Sequence, residues 1–428
     1  MPGEAFNEAH TPNIERFTRQ AMTMRNCISN YPVCSPYRAM LISGRWPYQT
    51  GIIDNALQLR PDEISIGETF RRAGYRTGYI GKWHLSPGDE GGHFIPKGPA
   101  RQGFEDWHVW SNTNQHYDKS FTFDPDNGQR IQPKGYNCTL MTDEAIQFID
   151  RHKSEPWMLM VSWNPPHPNF LDAPPDQMER YKPEALKFRP NAGKGERGIT
   201  PNLRKNFQGY YGHISAVDRE FGRLIEKLEL AGLTNDTIVV YTSDHGDMMG
   251  SHGFNGKRLP WEESCRVPFV VRYPGVVAEG SSASGLFSTV DIYPTMCGIA
   301  GIAPPSHCVG RDLSAAMRGQ AARFPESSFL MHIQKENASG GENNPAPLFR
   351  GVRTDRHTYA IADDGQWLLY DNHEDPYQMR NLIADGSGAR IARDLDGVLA
   401  EWLKKASDPF DSAALRKKRS SLIATRGI

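Results

Sequence analysis

The chain contains no uninterrupted apolar run of about 18 residues, so no segment of it is predicted to span a bilayer. It has no excess of either charge: 49 Lys and Arg stand against 50 Asp and Glu, a formal net charge of -1. With no field of one sign, nucleic acid and anionic membrane surfaces are not expected as partners. Cysteine is scarce, six in 428 residues, and Cys27, Cys34, Cys138, Cys265, Cys297 and Cys308 show no metal-ligand pair spacing. In a chain long enough for a large core they read as buried thiols rather than a disulfide framework, Cys34 excepted. The opening MPGEAFNEAHTPNIERF has no basic start leading into an apolar stretch. No secretory signal is predicted within it, and the compartment is left open.

What is present is the composition of an ordinary globular enzyme, 38% hydrophobic and 23% charged. Several segments read as apolar strands running into polar loops, the pattern of an α/β sheet. Residues 158–161 lead into the proline-rich loop 164–168, residues 237–242 end at Ser243, Asp244 and His245, and VPFVVRYPG (267–275) supplies a third strand. Between them Ile214, Val217, Phe221, Leu224 and Leu228 recur at helical spacing, with Gly232 as the stop. Residues 181–202, rich in Lys, Arg, Pro and Gly, read as a surface loop. ENASGGENNPAP, within 320–348, reads as a linker. Strand-like pieces at 351–353, 359–361 and 367–370 then precede a helix at about 391–405. The expected division is a catalytic domain over 1–335 and a C-terminal subdomain over 336–428.

Four segments carry chemistry. VCSPYRAMLISGR (33–45) sets Cys34, Pro36 and Arg38 in a Cys-x-Pro-x-Arg frame before a short helical stretch. GYRTGYIGKWHLS (74–86) holds Lys82 and His84 two residues apart, so that on an extended segment both point one way. An ammonium and an imidazole aimed at one oxyanion suit charge stabilisation and proton transfer. SDHGDMMGSHGFNGK (243–257) offers Asp244, His245 and Lys257, with His252 read as a loop-packing residue, and NPPHPNF places His167 just after a strand.

In this order the four segments resemble the signatures of the type I, formylglycine-dependent sulfatases of the alkaline phosphatase superfamily. TPNIERF (11–17), WEESCRVPFVVRYPG (261–275) and LLYDNHEDPYQMRNL (368–382) resemble segments at the same places in that family. The resemblance implies that a formylglycine-generating enzyme oxidises Cys34 to formylglycine. One oxygen of its hydrate would attack sulfur, and the other would expel sulfate by collapsing to the aldehyde. Arg38 would neutralise charge beside the diol; Tyr37 departs from the usual small residue there. Lys82 and Lys257 would hold the sulfuryl oxygens, His167 would serve the leaving oxygen, and His84 would assist the collapse. Asp244 and His245, with residue 34, would bind a divalent metal, Ca2+ first and Mg2+ second. Many family members have Asn where His245 stands.

The fold so implied is α/β: a large mixed sheet flanked by helices, plus a small C-terminal antiparallel sheet with a helix. The activity implied is that of an arylsulfatase-like sulfuric ester hydrolase. Its substrate would be a sulfated small molecule or saccharide, a sulfated carbohydrate being preferred. The run DWHVWSNTNQHYD (106–118) offers Asn112, Asn114, His116 and Tyr117 for sugar hydroxyls, and Trp107 or Trp110 for stacking on a pyranose. The alternatives are a phosphonate monoester or phosphodiester hydrolase of the same superfamily, and an inactive, truncated sulfatase-like binding protein. The last arises because the family places a strand ending in paired aspartates before TPNIERF. Here only Glu4 and Glu8 are acidic in the ten residues before Thr11. Without that strand the expectation is weaker metal binding and unpaired backbone edges on its neighbours.

Overall fold

The structure, a computed structural model, describes the chain except residues 1–6, 88–92, 111–114, 119, 194–197, 321, 335–346, 364–366, 385 and 412–428. The linker ENASGGENNPAP therefore lies almost wholly outside the described residues. In chain order the elements that place the site begin with α1 (Pro12–Thr18), β1 (Met22–Ile28), α2 (Cys34–Ser43), β2 (Arg76–Lys82) and β3 (Asp106–Trp110). They continue with α3 (Asn137–His152), β4 (Trp157–Ser162), α4 (Pro201–Leu230), β5 (Val239–Thr242), β6 (Phe269–Arg272), β7 (Ser282–Ser288) and α5 (Thr289–Ile299). The C-terminal elements are β8 (Ser327–His332), β9 (Phe349–Thr354), β10 (His357–Ala362), β11 (Trp367–Asp371) and α6 (Ala389–Ala406).

Strand pairing divides the large mixed sheet into two five-stranded parts. One has the order β7-β1-β6-β5, with the short strand Arg266–Val267 also paired to β1. β1 runs parallel to β7 and antiparallel to β6, and β5 is antiparallel to β6. The other part has β2 between β3 and β4, all parallel, extended past β3 by two short antiparallel strands. Among the described strands β4 pairs only with β2 and β5 only with β6, and their other edges line one cleft of about 250 Å³. Every residue of both strands is half-buried, whereas the neighbouring β2 and β6 are almost wholly buried.

The long helix α4 begins at Pro201, thirteen residues before Ile214, its first periodic residue in the sequence. Thr200 caps it by accepting the Leu203 N–H on its hydroxyl at 3.1 Å. Thr followed by Pro at the first helical position is a local start signal that composition alone conceals. Buried Val217, Phe221, Ile225 and Leu228 form its inner stripe. In the C-terminal part, β8-β9-β10-β11 is antiparallel throughout and α6 covers one face with Ala392, Leu395, Leu399 and Leu403. That sheet starts at Ser327, before the linker, so the first of its four strands is supplied from ahead of residue 336. Arg350 ties it to the rest: its guanidinium pairs with Asp408 at 2.5 Å and donates to the Tyr48 hydroxyl at 2.9 Å. All six cysteines are free thiols, five buried and Cys308 half-buried. No described helix is long and apolar enough to cross a membrane.

Candidate active site

Cys34 is the first residue of α2, after Val33 in extended conformation. Its side chain therefore stands at the positive dipole end of that helix, where Pro36 has no N–H and that of Tyr37 is taken by the Val33 carbonyl. Asn55 Oδ1 accepts the Ser35 N–H at 3.0 Å, and the Ser35 hydroxyl donates to the carbonyl of His84 at 2.5 Å. These two bonds lock the helix start to the segment that carries Lys82 and His84.

Arg38 lies one turn along α2 on the same side as Cys34. Its Nη1 donates to the Lys82 carbonyl at 2.7 Å and to Ser162 Oγ at 2.8 Å, and its Nη2 meets Asp244 Oδ2 at 3.2 Å. One guanidinium thus gathers the carboxyl ends of β2, β4 and the loop after β5, where open α/β sheets place their ligands. Gly81 permits this approach. It sits at φ 105°, and a Cβ there would fall 2.2 Å from the Ser162 carbonyl oxygen. His84 itself takes a left-handed φ of 57°, as does Arg258, next to Lys257, at 75°. Such strain in non-glycine residues collects at functional sites.

Around the Cys34 sulfur, His245 Nε2 stands at 3.1 Å and Lys82 Nζ at 3.9 Å. His167 also faces it, and His84 lies close enough to feel its charge. Each of two imidazoles is fixed by a backbone carbonyl: His245 Nδ1 donates to Gly246 O at 2.8 Å and His167 Nδ1 donates to Pro168 O at 2.7 Å. In the neutral ring this leaves the Nε2 lone pair of both pointing inward.

The electrostatics follow from crowding cations around a dry pocket. Burial alone would raise the Cys34 thiol, but Lys82, Lys257, His245 and a hydrogen bond from His167 hold it well below its ordinary range. Burial would likewise raise Asp244, yet His245 and Arg38 keep that carboxyl below the usual range. Lys82 is lowered, first by burial and then by Arg38 and Lys257. His167 is lowered to about 4 by burial and then by Lys82.

The Cys34 sulfur, a carboxylate oxygen of Asp244 and an imidazole nitrogen of His245 lie within 4.8 Å of one another. No other cluster of three potential metal ligands occurs among the described residues. The donor set suits a divalent cation: one anionic oxygen, one imidazole whose outer nitrogen is held by a carbonyl, and the side chain of residue 34.

The structure thus brings Cys34, Arg38, Lys82, His84, His167, Asp244, His245 and Lys257 to one place. It does not bear out the aromatic platform. Trp107 and Trp110 are 4% and 5% exposed, and Trp107 packs edge-on against Trp83 at 5.0 Å in the core. His116 is fully buried and cannot meet a sugar hydroxyl. Tyr117 packs against Tyr136 at 5.2 Å, and Asn112 and Asn114 lie outside the described residues. His252 stacks on Trp261 at 4.7 Å, in keeping with a packing role. Ser162 and Tyr79, which anchor Arg38, have no sequence signal beyond standing near strand ends.

The family model described as Sulfatase matches residues 4–302, and that described as N-sulphoglucosamine sulphohydrolase, C-terminal, matches residues 250–405. The chain is similar to an ulvan-active sulfatase of Formosa agariphila, 32% identical over 94% of this chain and 78% of that protein. It is also similar to an endo-4-O-sulfatase of Bacteroides thetaiotaomicron, 29% identical over 94% of this chain and 86% of that one. A solved structure from work on glycosaminoglycan metabolism by Bacteroides thetaiotaomicron superposes with a TM-score of 0.86. The two are 28% identical, over 96% of this chain and 92% of that one.

Proposed function

Because the chain belongs to the sulfatase family and is a sulfuric ester hydrolase, we propose that it removes sulfate from a sulfated carbohydrate, using formylglycine made from Cys34 and a divalent cation. The observation that carries this reading is the convergence of Lys82, His167 and His245 on the single sulfur of Cys34, with His84 beside it, where positive charge outweighs the opposing effect of burial and activates the thiol. That sulfur stands where the oxygens of a formylglycine hydrate would lie after maturation. Likeness to relatives named for ulvan and for 4-O-sulfate supports a saccharide substrate.

Asp244, His245 and residue 34 would hold the cation, which supplies Lewis-acid polarisation of a sulfuryl oxygen and charge neutralisation. Ca2+ is preferred to Mg2+ because it accepts a variable, irregular donor geometry, whereas Mg2+ demands a near-ideal octahedron. Lys82 and Lys257 bind the sulfuryl oxygens and carry the charge that builds on them. Arg38 holds Asp244 and the end of β4 in place rather than reaching for substrate. His167, with Nδ1 pinned to Pro168 O, presents Nε2 to the leaving oxygen; the anionic ester favours the imidazolium form, which gives up its Nε2 proton there. His84, on the Cys34 side, takes a proton from residue 34.

The test is purification from the native source, the mass of the peptide bearing Cys34, and turnover of sulfated saccharides against an aryl phosphonate. Formylglycine at position 34 with preferred sulfate release supports the proposal. Unmodified cysteine, or a preference for the phosphonate, defeats it.

A further inference from the structure

Two buried histidines stand behind the loop that carries His167, and none of the roles above employs them. His116 lies after β3 and His213 on α4, and both are fully buried. Their rings meet edge to face at 4.6 Å. His116 Nε2 donates to the carbonyl of His167 at 2.9 Å, and His213 Nε2 donates to the carbonyl of Asn169 at 3.1 Å. The two rings therefore grip the backbone on either side of Pro168, whose carbonyl fixes the His167 ring.

Each ring is held in turn. With Nε2 of His213 committed as a donor, its Nδ1 must accept, and the Tyr136 hydroxyl donates to it at 2.8 Å. Tyr136 stacks on the same ring at 5.9 Å and 18°. The His116 backbone N–H donates to Asp172 Oδ2 at 2.6 Å, and its carbonyl accepts the Asn137 N–H at 2.8 Å. Asp172 closes the far end of the same loop. Burial lowers both imidazoles, His213 to about 3, with His116 adding to the effect on His213. Both rings are therefore neutral near neutral pH and available as single-tautomer donors.

We propose that His116 and His213 are positioning residues that fix the backbone of the His167 loop, so that His167 Nε2 meets the leaving oxygen of the substrate; this rests on the sulfatase reading above. As the sulfur–oxygen bond breaks, its electron pair goes to the leaving oxygen, which takes the Nε2 proton of His167 in its imidazolium form, the form the bound anionic ester favours, and leaves the ring neutral with its proton on Nδ1. A displacement of the loop harms that transfer more the more basic the leaving oxygen is. The placing of Lys82 and Asp244 beside residue 34 and the sulfuryl group does not depend on this loop, because both are anchored separately through Arg38.

The distinguishing measurement is kcat and KM on two sulfate esters of different leaving group, 4-nitrophenyl sulfate and phenyl sulfate. The enzymes compared are the mature wild type and the His116→Ala, His213→Ala and His167→Ala variants. General acid catalysis contributes about 10²–10⁴-fold, most where the leaving group is basic. The expected result is a loss of kcat at least about tenfold larger on phenyl sulfate than on 4-nitrophenyl sulfate in all three variants, with KM nearly unchanged. His116→Gln and His213→Gln, which keep a donor near the Nε2 position, should restore part of it. Tyr136→Phe, which removes one hydroxyl and no packing volume, carries the test if the alanine variants do not fold; the same selective loss is expected, smaller in size. Equal losses on both esters, or none, overturn the proposal. A wild type carrying formylglycine that cleaves neither ester overturns the sulfatase reading and this inference with it.

Discussion

His245 Nε2 lies 3.1 Å from Cys34 Sγ while its Nδ1 donates to the carbonyl of Gly246, so one imidazole is tied to the backbone on its outer side and to the reactive residue on its inner side. The outer bond fixes the tautomer, and the inner lone pair is thereby committed to an electrophile or a cation. Asp244, adjacent in sequence, is locked by Arg38 at 3.2 Å.

Removing the nucleophile should end catalysis. Cys34→Ala is expected to lower kcat on an aryl sulfate by on the order of 10⁴-fold or more, since loss of a nucleophile leaves only binding and electrostatic terms. Steady-state kinetics with active-site titration checks it, and a variant within tenfold of wild type would refute the assignment.

Chelation should be reversible and metal-selective. Dialysis against EDTA is expected to abolish turnover, and Ca2+ should restore more activity than Mg2+ at equal concentration. His245→Ala should weaken Ca2+ binding measured by calorimetry, whereas His245→Asn, which offers a carbonyl oxygen, should weaken it less. Equal affinity in all three proteins would remove His245 from the ligand set.

Lys82 has a charge role that glutamine cannot fill. Lys82→Gln should reduce kcat by about 10²–10³-fold, the usual effect of deleting one oxyanion-stabilising group. A change confined to KM would place Lys82 in ground-state binding instead.

Acid should destabilise the protein through His332. Burial lowers this imidazole from 6.5 to about 4, so the unfolded chain takes up its proton first. The stabilisation is complete above about pH 6.5 and is lost as pH falls towards 4, by about 3 kcal/mol at most. Urea denaturation of His332→Gln across this range should give a correspondingly flatter pH profile than wild type. Parallel profiles would contradict the assignment.

The Arg350–Asp408 pair is nearly inaccessible, its side chains 3% and 0% exposed. Asp408→Ala leaves a buried guanidinium without its counter-ion and should cost about 3–5 kcal/mol. A fall in thermal midpoint with kcat retained on the folded fraction is the expected signature.

The sequence by itself determined the elements and the chemical inventory. Local patterns suffice for β4, β6 and α6, because a strand's apolar run and a helix's periodic stripe are short-range properties. The site residues were legible because each lies in a short motif whose spacing is set within one loop or one turn. Tertiary structure alone decided which faces are inward. Trp107 and Trp110 stand on opposite faces of β3 and are buried in two different clusters, because packing covers both faces of that strand, which no composition rule fixes. It alone also assembled Arg38 with Ser162 and Asp244, separated by 124 and 206 residues. In the same way it set His116 and His213 behind His167, converting a supposed sugar contact into a support for the loop. Contacts of that kind depend on how sheets and helices pack across the whole chain, where the gain from burying and satisfying polar groups is shared among residues that carry no local mark.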